Sequence, residues 1–191
     1  MSDFVSYKDH FLVAAPNMKD PVFSKTVIYL CSHTPEGAMG IVINRGVALS
    51  VASLLERVGI DSQNDELHEM MLFDGGPVQV ERGFVLHTPK NKYYSSVGIT
   101  EQITLSTSRD VLEAIANVDQ APDKFLISLG YSGWSEGQLE SELALSGWLI
   151  APADSAVIFD VPVERRYDVV LESIGLSADD FSYWSQGTGH A

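Results

Sequence analysis

The stretch of this sequence most like a chemical motif is Gly130-Tyr131-Ser132-Gly133-Trp134, read as a loop between an apolar strand and a capped helix. A serine flanked by glycines invites comparison with a nucleophile elbow, in which G-x-S-x-G spacing lifts the hydroxyl out of a sharp turn. Here Trp134 occupies the last glycine position, and no Asp–His pair is placed to complete a triad. The same loop, as a phosphate cradle, would offer backbone amides at a helix N-terminus. Charge opposes that use. From Phe125 to Glu164 there is no Lys or Arg, whereas Glu136, Glu140, Glu142, Asp154, Asp160 and Glu164 are acidic. Neither the Walker pattern nor G-x-G-x-x-G occurs.

Cys31 and His33 stand two residues apart at the end of an apolar run, so a strand would point both side chains to one face. An imidazolium beside a thiol lowers its pKa, which makes the pair the reactive candidates. The competing structural role is that of a small buried hydrophobe inside Val27-Ile28-Tyr29-Leu30-Cys31. Three arginines are the candidates for binding an anionic ligand. Arg45 lies in the Asn44-Arg45-Gly46 turn, Arg82 follows the Gly75-Gly76-Pro77 turn, and Arg109 falls in the first turn of a helix. A cation there opposes the helix dipole unless it has a partner. Structural ion pairing with the acidic excess competes with convergence on one ligand.

Metal-binding signals are weak. His68-Glu69 begins like H-E-x-x-H, but Leu72 stands where the second histidine belongs. Glu136 and Glu140 share a helical face, an arrangement more typical of a solvated surface than of a cation site. With no C-x-x-C, zinc is excluded, and no metal or cofactor is expected.

These residues must be held by something, and composition bounds what. The chain has 191 residues, 45% hydrophobic and 20% charged, enough for one packed domain spanning 1–191. Twelve basic residues against twenty-six acidic ones give a formal net charge of −14. Affinity for nucleic acid comes largely from Lys and Arg neutralising phosphates, so direct DNA contact is disfavoured. No segment approaches the roughly 18 apolar residues of a membrane span. Asp3, Lys8, Asp9 and His10 interrupt the start where a signal peptide needs a clean apolar core. With a single cysteine as well, the expected location is the cytoplasm.

Strands are expected over Phe11–Ala15, Thr26–Cys31, Gly40–Asn44, Met70–Phe73, Gly83–His87, Phe125–Gly130, Trp148–Ala151 and Val157–Phe159. Helices are expected after Ser50 with Leu54, Leu55 and Val58 inward, and from Ser106–Asp110 with Val111, Leu112, Ile115 and Val118 inward. A third starts at the capping box Ser135–Gln138 with Leu139 and Leu143 inward, and a fourth follows Pro162 with Val163, Tyr167, Val170, Leu171 and Ile174 on one face. Phe181, Tyr183 and Trp184 are expected to pack on the body, the alternative being a docking peptide. Strands outnumber helices and do not alternate with them, which makes the fold α+β.

Several segments in order carry a resemblance to a known family. FLVAAPNMKDPVFSKTVIYLCSHTPEGAMGIVIN (11–44), FDGGPV (73–78), RGFVLHT (82–88), STSRDVLEAI (106–115), LGYSGWSEGQLESEL (129–143), WLIAPAD (148–154) and the terminal GHA resemble the AlgH/YqgE family over nearly the whole chain. The resemblance implies a bifurcated, mostly antiparallel β-sheet curled into a partial barrel with flanking helices. It carries no catalytic residue onto any position. Family members are mostly described as uncharacterised, and one branch is called a transcriptional regulator of alginate synthesis. Together with the charge, it implies a non-enzymatic regulatory or binding protein acting indirectly, through a protein or small-molecule partner. The alternative is a binding protein or enzyme for a small anionic ligand at an arginine-lined site.

Overall fold

The computed structural model describes residues 3–177. In chain order its elements are β1 (His10–Ala14), β2 (Val27–Thr34), β3 (Gly37–Val42), β4 (Gly46–Ser50), α1 (Val51–Arg57), β5 (Met71–Asp74), β6 (Val78–His87), β7 (Ser96–Gly98) and β8 (Thr104–Ser106). Then come α2 (Arg109–Ala116), β9 (Phe125–Trp134), α3 (Gln138–Ala144), β10 (Trp148–Pro152), α4 (Ser155–Phe159) and α5 (Arg166–Ser173). Short 3-10 turns cover Asp65–His68 and Val163–Arg165. They form two compact units, one from the residues up to Asn44 and from Ser132 onward, the other from Arg45 to Tyr131.

In the first unit, β10, β1, β2 and β3 are antiparallel neighbours, and β3 continues to the last three residues of β9. Phe11 to Ala14 and Val27 to Leu30 are all buried, the continuous apolar pattern of strands covered on both faces. Leu12, Ile28, Leu30 and Val42 pack with Trp134, Leu139 and Trp148. A bulge between Leu30 and Ser32 leaves Cys31 as the extra residue on β2. On α5, Tyr167 donates its hydroxyl to the Ala14 carbonyl at 2.7 Å. Arg166 is buried and donates to the carbonyls of Ile43 and Val161, at 2.6 and 2.9 Å.

In the second unit, β9 pairs antiparallel with β6 and in parallel with β5, while β6 continues to β8 and β7. Because β9 serves one branch with residues 125–131 and the other with 132–134, the sheet forks on it. The fold is α+β, and the sheet is bifurcated and mostly antiparallel with flanking helices, as expected. The core of this unit joins Val51 and Leu55 of α1 to Leu72, Val85, Val111, Ile115 and Ile127.

Ser50 caps α1 by accepting from the Ser53 amide, as the sequence predicts. Leu55 is buried and Leu54 packs against the core as expected, Val51 is buried beside them, and Val58 is exposed beyond the helix. Val118, likewise expected inward, lies past the end of α2 and is exposed. Val157–Phe159, expected as a strand, is the helix α4; Asp154 caps it by accepting from the Ala156 amide, and five residues of apolar run look alike in either state. The Gly130–Trp134 segment is not a loop: β9 runs through it to Trp134. Only half of the capping box forms. Gln138 accepts from the Ser135 amide at 3.0 Å, while left-handed Gly137 occupies the cap of α3. Strands β4, β7 and β8 are too short or too polar to show in the sequence pattern. The expected packing of Phe181, Tyr183 and Trp184 lies outside the described residues.

Candidate functional site

The sequence candidates resolve into different places. In the first unit, Cys31 is 4% exposed, and burial pushes its thiol far up, away from reactivity. Its Sγ–H points at the Tyr29 carbonyl 3.7 Å away. His33 is held from both sides. Its Nδ1 accepts the Tyr7 amide at 2.9 Å, so the ring proton is on Nε2 and is donated to Glu140 at 2.6 Å. Phe4 packs its ring edge-on and Tyr7 stacks at 5.9 Å. His33 thereby ties the segment before β1 to α3. Glu140 is engaged in that clamp and Glu136 precedes the helix, so the expected acidic pair on one helical face does not exist. Although burial opposes it, the backbone amide of Glu140 and the bond from His33 hold that carboxyl below its usual range.

The three arginines lie in the second unit and serve different partners. Arg109 pairs with Glu113 at 3.1 Å and donates to the carbonyl of Val58 at 2.6 Å. Val58 is the C-cap of α1, so this cation sits where a helix end presents negative potential, which explains its place in the first turn of α2. Arg45 offers its carbonyl to the Asp74 amide at 2.9 Å. Arg82 donates to Gln79 Oε1 at 3.3 Å and to Thr107 Oγ1 at 3.2 Å, and its guanidinium lies 5.6 Å from the centroid of the Phe84 ring. An amide oxygen, a hydroxyl and a ring position this cation without neutralising it.

The setting of Arg82 follows from a forced chain path. The pairing of β6 with β9 jumps from Val78↔Tyr131 to Gly83↔Leu129, so residues 79–82 bulge out opposite Gly130 alone. Gly130 has φ +77°, and a Cβ there would stand 2.5 Å from the Gly76 carbonyl. Gly75 has its own limit, since a Cβ would meet the Gly130 carbonyl at 2.4 Å. Glycine on both sides lets the 73–78 and 129–131 segments approach backbone to backbone. Gln79, at φ +50°, turns the bulge that presents Arg82.

Behind Arg82 runs a web of hydroxyls that sequence reasoning missed. Thr107 Oγ1 and Ser95 Oγ are 2.8 Å apart, and the Ser95 amide donates to Ser108 Oγ at 3.0 Å. Ser108 in turn donates to Asp110, whose other oxygen accepts the Tyr94 amide at 2.7 Å. Burial works against the Asp110 charge, but the Ser108 hydroxyl and the amides of Tyr94, Val111 and Asp110 outweigh it and depress the carboxyl. The N-terminus of α2 is therefore occupied by its own carboxylate. Deeper in, His87 and Ser106 are fully buried, and His87 Nε2 lies 2.7 Å from Ser106 Oγ. Burial holds the His87 imidazole neutral against the opposing pull of the Thr88 carbonyl. The run of Ser, Thr and Asp at 104–110 was the available signal, but pairing across strands gives it meaning.

Among the described residues no three His, Cys, Asp or Glu side chains gather as a metal site, and no helix is long and apolar enough to cross a membrane. What fold and site define is a forked-sheet α+β protein with a positioned arginine on a hydroxyl-rich sheet. The chain belongs to the AlgH-like family, whose profile matches residues 11–179. It is 44% identical over 187 residues to a UPF0301 protein of Pseudoalteromonas translucida, covering 97% of this chain and 99% of the relative. The solution structure of the AlgH protein from Pseudomonas aeruginosa is similar at a TM-score of 0.79 and 44% identity, over 95% of this chain and 96% of that one. A Corynebacterium diphtheriae protein shares the fold at a TM-score of 0.71 and 17% identity, with 90% and 89% covered.

Proposed function

We propose that this chain is a cytoplasmic binding protein that takes a small anionic group at Arg82, and that any regulatory effect passes through that ligand or a protein partner. The observation that carries this is the company Arg82 keeps. In a chain of net charge −14, a cation held by Gln79, Thr107 and the Phe84 ring keeps its charge for an incoming anion. Two of its five N–H donors are used by those oxygens, and a fork remains for a carboxylate or phosphate. Arg109, by contrast, is committed to Glu113 and to the end of α1. The acidic balance supports an indirect route over contact with DNA phosphates. Because β9 supplies both units, we take residues 1–191 as one functional domain.

A thermal-shift screen against inorganic phosphate, nucleotides, phosphosugars and acyl-CoA tests this. A ligand at about 100 times its Kd stabilises by about 2.7 kcal/mol, a rise of roughly 5–11 °C for a chain of this size. Arg82→Gln should abolish the rise while leaving the unliganded Tm within about 2 °C, because an exposed arginine contributes little to stability. A flat screen, or a shift that Arg82→Gln retains, would sink the proposal.

A further inference from the structure

The hydroxyls beneath the sheet form a chain whose proton directions are fixed by its two ends. His87 Nδ1 lies 2.9 Å from the Thr88 carbonyl, which accepts only, so Nδ1 carries the ring proton and Nε2 is a bare acceptor. Ser106 Oγ, 2.7 Å from that nitrogen, must donate its single proton to it. Ser96 Oγ, 2.7 Å from Ser106 Oγ, must then donate in turn. The Tyr93 amide donates to Ser96 Oγ at 3.1 Å and closes the series. Ser106 and His87 are fully buried, whereas Ser96, opposite Ser106 on β7, is partly open to solvent. The hydroxyl of Tyr93 is buried without a hydrogen-bond partner, and its ring lies edge-on to His87 at 5.4 Å between centroids. A buried phenol with its O–H uncommitted is of the kind that steadies charge developing on an oxygen.

We propose that Ser96 is a nucleophilic serine, activated through Ser106 by His87, that accepts acyl groups from carboxylic esters. This does not rest on the Arg82 site, which uses Phe84 and has the opposite parity along β6 from His87. Ser96 Oγ forms a bond to the ester carbonyl carbon, and the carbonyl π pair moves to oxygen. The Ser96 proton passes to Ser106 Oγ as the Ser106 proton passes to His87 Nε2. Collapse of the tetrahedral adduct breaks the bond to the alkoxide, which leaves as an alcohol with the proton returned along the relay. Water repeats the sequence on acyl-Ser96, releasing the carboxylic acid and restoring the serine. The Thr88 carbonyl holds the ring in the tautomer this needs, as a third group does in nucleophile–base pairs generally. Burial keeps His87 unprotonated and ready to accept. Burial, and then the Asp110 charge, raise Tyr93, so its phenol remains a donor.

The test treats the full chain at neutral pH with a fluorophosphonate, which bonds phosphorus to an activated serine oxygen and releases fluoride. Mass spectrometry of the digest should place one adduct on Ser96, absent from Ser96→Ala. Ser106→Ala keeps nucleophile and base but cuts the relay, and should slow labelling at least about a hundredfold. His87→Gln should do the same; if that variant fails to fold, Ser106→Ala decides. Heat-denatured protein should not label. A folded chain that stays unlabelled, an adduct on another hydroxyl, or a rate unchanged in Ser106→Ala would overturn the proposal.

Discussion

The two units each bury a histidine, and the two rings are wired in opposite senses. In the first unit His33 accepts a backbone amide on Nδ1 and donates Nε2–H to Glu140, so both nitrogens tie chain segments together. In the second, His87 donates Nδ1–H to a carbonyl and leaves Nε2 as the acceptor at the end of a hydroxyl chain. The first arrangement is a clamp between the N-terminal segment and α3. The second is a base held in reserve. Burial alone does not separate these roles; the partner on Nδ1 does.

The largest effect that would break this contrast is expected at Gly130, on which the second unit's chain path depends. Gly130→Ala places a methyl group 2.5 Å from the Gly76 carbonyl in a left-handed conformation. A loss of about 3 kcal/mol or more is expected. Calorimetry should then show Tm lowered by roughly 6–12 °C. A Tm within about 2 °C of wild type would mean that the close approach of the 73–78 and 129–131 segments is not needed.

A smaller effect is expected at the clamp. His33→Ala removes the acceptor of the Tyr7 amide and the donor to Glu140, at a cost of about 2 kcal/mol. Hydrogen exchange should accelerate at Tyr7, with amides of β9 unchanged. If Tyr7 stays protected in the variant, His33 does not hold the N-terminal segment.

The smallest concerns Asp110, which stitches Tyr94 and Ser108 to the start of α2. Asp110→Asn should cost about 1 kcal/mol at neutral pH. The sign follows from the depressed carboxyl. Its stabilisation is complete above the ordinary value of 3.8 and is lost as pH falls through the lower value of the folded state. Denaturant titrations of wild type and Asp110→Asn should therefore differ near neutrality and converge in acid. A gap that widened on acidification would show the sign to be wrong.

Much of the fold was legible because it rests on continuous apolar runs. Phe11–Ala14, Val27–Leu30 and Leu126–Ile127 announce buried strands by composition, and Ser50 announces a helix start. Val157–Phe159 misleads, since a short apolar run has no period of its own and the Asp154 cap decides it as a helix. The site was less legible. Arg82 was picked out by its place after a glycine turn and Arg109 by its place in the first turn of a helix, yet only the structure shows that Arg109 is a strut between two helices.

The opening motif shows the division most clearly. Residue types alone argued against a nucleophile elbow or a phosphate cradle at Gly130–Trp134, because Trp134 breaks the spacing and the surrounding charge is negative. They also determined the acidic balance and the α+β class, which are sums over local preferences. Only the tertiary structure decided that β9 runs through that motif and that Gly130 is a contact point for Gly76. It also decided that Ser96, Ser106 and His87 meet. Those three residues come from three strands, and the hydrogen bonds that join them arise when strand register brings their side chains within 2.7 Å. Register is a property of paired chains, and no single stretch of sequence carries it.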